Sequence, residues 1–391
     1  MARKSKTKEP PQPITAPTQA YLKVLEHLKE EHNLRSIPSD LSAERVDLLS
    51  NDYLGLGAEA HIYRKEFEER FPDAQMTSSA SRLLSRRNRY HNRLEEYLGE
   101  LYGRRALLFN SGYHANVGII QALAIPGTLF LADKLVHASI IDGLRLCGAD
   151  FKRYPHNDMR NLKRLIKENY KEYERIIVIT EGIFSMDGDM APINQLVELK
   201  RQYPKVMLYL DEAHSFGVRG MQGLGVAEET GHIPDIDIII GTLGKAAASA
   251  GAFAITSAEM KQYLINTARS FIFSTALSPA QAAWSILMIE KLVAMNDRRL
   301  HLQRLSKYIV RELSRRLNFE SPAITQIVPL IIGDASEAVL MSNYLAQNGF
   351  DSLAIRKPTV PAGSERLRFS LNALLTEKDI DRLITALSHY P

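Results

Sequence analysis

The sequence predicts an α/β protein: a large domain with a mixed, mostly parallel sheet between helices, then a small C-terminal α+β domain. Short β-branched runs alternate with helix-length segments from about residue 48, the pattern that builds parallel strands through crossover helices. With 391 residues the chain exceeds one ordinary domain. Its 45% hydrophobic and 24% charged residues suit a globular fold, and no apolar run is long enough to span a bilayer.

Taken in order, residues 1–17 form a tail of Lys, Pro, Gln and Thr that cannot bury a core and is predicted to be disordered. The tail carries Arg3, Lys4, Lys6 and Lys8 against Glu9. It therefore supplies most of the net charge of +4, and the remainder is near neutral. That distribution argues against a nucleic-acid footprint. The tail also lacks the apolar core of a secretory signal. Residues 18–47 form a helical arm, with Tyr21, Leu22, Val24, Leu25 and Leu28 at helical spacing. The large domain spans 48–278, with strands expected at 106–109, 128–132, 176–180, 206–210, 236–241 and 252–255. Helices are expected between them at 113–123, 138–146, 159–169 and 193–202. Residues 279–391 read as one long connecting helix over 279–316, then strand, helix, strand and helix. Cys147 is the single cysteine, which excludes an intrachain disulfide and a cysteine-based metal site and fits a cytoplasmic protein. No metal is expected.

In a doubly wound sheet, ligands bind at the carboxyl ends of the strands. Asp211-Glu212-Ala213-His214 follows one strand. A buried acid there needs a cationic partner, and a protonated pyridine nitrogen is one. A structural Asp–His pair or a metal would also account for it. Gly241-Thr242-Leu243-Gly244-Lys245 follows the next strand and places a lysine where it could form an imine. Taken alone, such a lysine is also a phosphate binder or a surface group, and the Walker spacing is absent. Asn110-Ser111-Gly112-Tyr113 opens a helix whose free N–H groups suit a phosphate, or simply an N-cap. Glu181 to Gly188 forms a polar turn on the same edge.

These pieces, with Ser50 to Leu56 and Ser274-Thr275-Ala276-Leu277, resemble the α-oxoamine synthase family of fold-type-I pyridoxal-phosphate enzymes over residues 45–391. The resemblance implies pyridoxal 5'-phosphate as cofactor. It implies that Lys245 holds the cofactor as an imine and shuttles the Cα proton, and that Asp211 pairs with the ring nitrogen. His214 and Ser185 would bond the ring hydroxyl oxygen, and His137 would stack on the ring. Ser111, Gly112, Tyr113 and Thr242 would hold the phosphate. Ser274 and Thr275 would reach the phosphate of a second copy, which implies a homodimer with shared sites.

The segment 354–363, Ala-Ile-Arg-Lys-Pro-Thr-Val-Pro-Ala-Gly, followed by Arg366-Leu367-Arg368, is most similar to the 8-amino-7-oxononanoate synthases of biotin biosynthesis. By that match Arg356 would clamp the amino-acid carboxylate with Asn51 nearby. The substrates would be an amino acid, L-alanine in the first instance, and an acyl thioester. The thioester would be pimeloyl-CoA or pimeloyl-acyl carrier protein; Arg86, Arg87, Arg89 and Arg93 could form a surface for a carrier, or simply a solvated helix face. Two stretches depart from the family. Residues 77–86 lack its glycines, and 246–250 is alanine-rich. Other readings are a synthase for glycine or serine, an aminotransferase, and a non-catalytic homologue.

Overall fold

The structure, a computed structural model, describes residues 16–35, 37 and 45–391. The basic tail therefore lies outside the described residues, apart from its last two. The N-terminal arm is a helix over Ala16–Glu30.

Among the described residues the strands are β1 (Val46–Asp47), β2 (Arg105–Phe109), β3 (Thr128–Asp133), β4 (Asp150–Tyr154), β5 (Arg175–Glu181), β6 (Val206–Asp211), β7 (Ile238–Thr242), β8 (Ala252–Thr256), β9 (Ile327–Ile331), β10 (Phe350–Asp351), β11 (Leu353–Ile355) and β12 (Arg366–Ser370). The main sheet has seven strands in the order β2-β8-β7-β6-β5-β3-β4. Only β8 runs against its neighbours β2 and β7.

The inner strands are buried on both faces, so they read as unbroken apolar runs. Period-two alternation splits them between two cores. Leu129, Leu131, Ile176 and Val178 face one core, while Phe130, Ala132, Ile177 and Ile179 face the other. β4 was missed in the sequence because it is a polar edge strand, with Asp150 to Arg153 all exposed.

The helices over Gly112–Leu123, Ala138–Cys147, Met159–Asn169 and Ile193–Gln202 stand where the sequence placed them. The long connection is two helices, Pro279–Ala294 and Asn296–Leu317, rather than one. Met295 leaves the helical region at φ −88°, ψ 41°. The buried Arg299 guanidinium donates to the Leu292 and Val293 carbonyls at 2.6 and 3.0 Å, at the last turn before the break.

The C-terminal sheet is antiparallel in the order β11-β12-β9, and β1 pairs with β10. Ser370 donates its N–H to the Leu48 carbonyl and Ala373 to that of Tyr53, at 2.9 Å each. These bonds lay the 48–53 segment along β12. Another seam holds the turn after β5. His156 sits between the Asp133 and Asp189 carboxylates at 3.0 and 2.7 Å, with its ring edge-on to Phe184. Gly188, at φ +69°, packs where a Cβ would collide with the Ile327 carbonyl oxygen.

Candidate active site

The parallel strands β3, β5, β6 and β7 end on one edge of the sheet. Beyond that edge lies a cavity of about 180 Å³ lined by Gly112, Tyr113, Asn116, His137, Glu181 and Asp211, with Ala213, His214, Thr242 and Lys245 among the others. Segments far apart in the sequence meet there because each follows a strand end or opens the next helix.

Lys245 sits in the turn after β7, with Nζ 2.7 Å from His214 Nε2. Burial pushes its amine down to about 8, against the opposing pull of Asp211 and Glu181. That value keeps a useful fraction of neutral, nucleophilic amine near neutrality. The turn is braced from the helix over Pro279–Ala294. The Trp284 indole donates to the Ala248 carbonyl at 3.0 Å, and Gln281 donates to Ser249 Oγ at 2.6 Å.

Asp211 ends β6. Its Oδ2 accepts from Asn116 Nδ2 at 2.8 Å and its Oδ1 from the Ala213 N–H at 2.9 Å. Asn116 is held in turn by the Tyr209 hydroxyl at 2.7 Å. The carboxylate is thus fixed in place with acceptor capacity left over for a cation in the cavity.

His137 caps the helix over Ala138–Cys147, its Nδ1 accepting from the Ser139 N–H. Glu181 accepts from the His137 N–H at 2.5 Å. Burial first, then the Asp211 charge, raises the Glu181 carboxyl far above its ordinary range. Burial and the neighbouring cations Lys245, Arg368 and His137 hold His214 well below the usual imidazole range.

Ser111 caps the helix over Gly112–Leu123 by accepting from the His114 N–H at 3.2 Å. The first N–H groups of a helix have no partner within it. At Gly112 an added Cβ would meet nothing within 4 Å, so this end opens on free space. A Lys amine, a fixed carboxylate and an open helix N-terminus around one cavity fit a phosphorylated pyridine aldehyde. Lys245 would bond it, Asp211 would neutralise its ring nitrogen, and the N–H groups of Gly112 and Tyr113, with Thr242, would take its phosphate.

Ser111 and Ser185 stand close by but do not line the cavity. Ser274 and Thr275 do not line it either, and the Thr275 carbonyl accepts from Asn110 Nδ2 at 2.6 Å. Arg356 is not brought to the cavity. It follows β11 in a partly exposed turn, and its guanidinium donates to the His32 carbonyl of the N-terminal arm. Arg368 occupies the position beside Asn51 instead. From the middle of β12 it donates to Asn51 Oδ1 at 2.6 Å and to the Ser185 carbonyl at 3.3 Å. Asn116, Glu181 and Tyr53 also received no role from the sequence. Period-two spacing of Arg366, Arg368 and Ser370 on one buried face was the available signal for Arg368.

Among the described residues, no cluster of His, Cys, Asp or Glu could hold a metal ion, and no helix is long and apolar enough to cross a membrane.

A profile described as Aminotransferase class I and II matches residues 43–387. The 8-amino-7-oxononanoate synthase of Haemophilus ducreyi is 47% identical over 350 residues, covering 88% of this chain and 90% of that protein. The 8-amino-7-oxononanoate synthase of Francisella tularensis superposes with a TM-score of 0.75 at 28% identity, covering 89% of this chain and 98% of that one. Serine palmitoyltransferase from S. paucimobilis, bound to a PLP–myriocin aldimine, gives 0.84 at 26% identity, covering 95% and 97%. The strand-end cavity, the lysine within it and these likenesses along nearly the whole chain converge: the protein belongs to the class I and II aminotransferase family, among the 8-amino-7-oxononanoate synthases.

Proposed function

We propose that the chain is a pyridoxal-phosphate-dependent acyltransferase. It condenses L-alanine with a pimeloyl thioester to 8-amino-7-oxononanoate, carbon dioxide and free thiol, a step of biotin biosynthesis. The observation that carries this reading is the meeting of Lys245, Asp211 and the Gly112 helix end in one cavity, with Asn51 and Arg368 beside it.

The bound cofactor supplies an electron sink for the pair released at the alanine Cα. The protein does the rest. Arg368 and Asn51 bind the alanine carboxylate, with a planar donor fork suited to it. Lys245 Nζ removes the Cα proton. Asp211 would pair with the cofactor's ring nitrogen and favour its protonated form, and His137 would pack against the ring. Cα then bonds to the thioester carbonyl carbon while the C–S bond breaks and the thiolate leaves. The alanine carboxylate departs as carbon dioxide, and Lys245 returns a proton to Cα.

Ser274 and Thr275 serve the cavity of a second copy in this reading, since they do not line their own. The enzyme is a cytoplasmic homodimer. The test is thiol release by the cofactor-loaded protein from pimeloyl-CoA and, in parallel, from pimeloyl-acyl carrier protein. Alanine, glycine, serine and threonine are each supplied as acceptor. Release with alanine alone, matched by carbon dioxide, is expected. Preference for serine or glycine would move the chain to another α-oxoamine synthase activity, and oxo-acid formation without thiol would make it an aminotransferase.

A further inference from the structure

A single file of hydrogen bonds joins the carboxylate-binding pair to the reactive lysine, and the direction of each bond in it can be settled by counting protons. Arg368 can only donate, so the atom of Asn51 facing it at 2.6 Å must be the oxygen. That oxygen also accepts from the Tyr53 hydroxyl at 2.9 Å. Tyr53 has one proton, and Asn51 takes it. At its second contact, 2.7 Å from His214 Nδ1, the Tyr53 oxygen must therefore accept. His214 then carries its proton on Nδ1, and a neutral imidazole with a proton there has a bare Nε2. Nε2 accepts from Lys245 Nζ at 2.7 Å. Tyr53 is fully buried, so no water competes for its hydroxyl. The Gln326 side-chain amide donates to the His214 carbonyl at 2.7 Å and also reaches the Tyr53 oxygen as a donor, which leaves the count of the Tyr53 proton unchanged.

We infer that Tyr53 is a positioning residue for the proposed reaction: its hydroxyl, committed to Asn51, fixes His214 in the Nδ1–H form and so presents an acceptor to Lys245. The inference rests on the condensation reading for its consequence, though not for the proton count. It links two sites that otherwise look independent. Whatever engages Arg368 and Asn51 also touches the group that orients His214, so carboxylate binding and lysine chemistry share one file. Without the hydroxyl, Nδ1–H would face a phenyl ring with no acceptor. The imidazole would then gain by moving its proton to Nε2, where it would confront the protonated lysine donor to donor and tie up the lone pair of the neutral one.

Tyr53→Phe keeps the ring and removes only the oxygen. Two readouts apply. Ring-15N-histidine protein, with and without bound cofactor, reports which nitrogen of His214 carries the proton, with His214→Gln assigning its signals among the eleven histidines. A proton on Nδ1 in the wild type, lost or redistributed in Tyr53→Phe, is expected. In steady-state kinetics the variant should lose about tenfold to a hundredfold in kcat, with KM for alanine held within about twofold. A purely structural role would not separate the two constants.

Wild-type protein with the proton on Nε2 would overturn the proposal. So would a Tyr53→Phe enzyme with unchanged tautomer and kcat, or one that changes in KM alone. Wild type inert toward every amino acid would sink only the condensation reading, because the ring-proton measurement decides the tautomer without substrate.

Discussion

Lys245 must lose a proton before its amine can attack, and burial has done part of that work by lowering it to about 8. The sign is direct: the neutral form vanishes below about 8 and saturates above it. The rate at which pyridoxal phosphate combines with cofactor-free protein should therefore rise about tenfold per pH unit below about 8 and level off above. Stopped-flow absorbance measures this, and a midpoint near that of free lysine would show the amine to be unperturbed. The two arginines offer a second test. Arg368→Ala should raise KM for alanine by about thirtyfold or more, roughly 2–5 kcal/mol for a lost contact to a buried carboxylate. Arg356→Ala should leave KM within about threefold, since that side chain donates to the His32 carbonyl and does not line the cavity. The reverse order would return the clamp to Arg356. The meeting of Lys245, Asp211, His214 and His137 was legible in the sequence because each follows a strand end, where ligands gather. Arg368 was not, because a charge inside a predicted strand reads as a solvent-facing residue until the partner segment is known. Its partner, Asn51, lies more than three hundred residues earlier in the chain.

At the scale of elements, the strands of the main sheet were readable because inner parallel strands are apolar on both faces. β4 escaped because its outer side chains are polar. The break at Met295 escaped because nothing in its local sequence is a helix breaker. The device that accommodates it, Arg299 folding back on two carbonyls, exists only in three dimensions. The His156 bridge between β3 and the turn after β5 carries a prediction. Burial works against its charge, but the hydrogen bonds it donates to the Asp133 and Asp189 carboxylates win and push it up to about 10. A group raised above its ordinary value of about 6.5 stabilises the fold fully below that value and loses the contribution as pH climbs through about 10. Wild-type stability to urea should therefore fall between pH ~7 and ~10 by more than that of His156→Gln. At pH 6 the variant should be about 2–4 kcal/mol less stable, the order expected for removing one partner of a half-buried charge network. Parallel denaturation curves with no pH-dependent gap would dismiss the charged bridge.

Across the whole molecule, apolar side chains remain exposed that a solitary globular chain would cover. Met76, Leu84 and Phe273 expose 84%, 79% and 70% of their surface, and Phe273 adjoins Ser274 and Thr275. Pairing of two copies over this face would bury them and carry those hydroxyls toward the neighbouring cavity. Sedimentation should therefore show a dimer at micromolar concentration. Phe273→Glu should weaken it and reduce cofactor affinity by about tenfold in the same stroke. Loss of the dimer with cofactor affinity intact would mean that each cavity is complete within its own chain.

Trp284 is the only tryptophan in the chain, and its indole is bonded to the turn that carries Lys245. The protein thus contains its own optical gauge. Excited beyond the absorption edge of its sixteen tyrosines, the chain emits from a single place, beside the lysine turn, and a pyridine chromophore held on that lysine would be close enough to quench it by energy transfer. Loading of the cofactor, and any shift of the turn during turnover, can be followed by fluorescence without attaching a label.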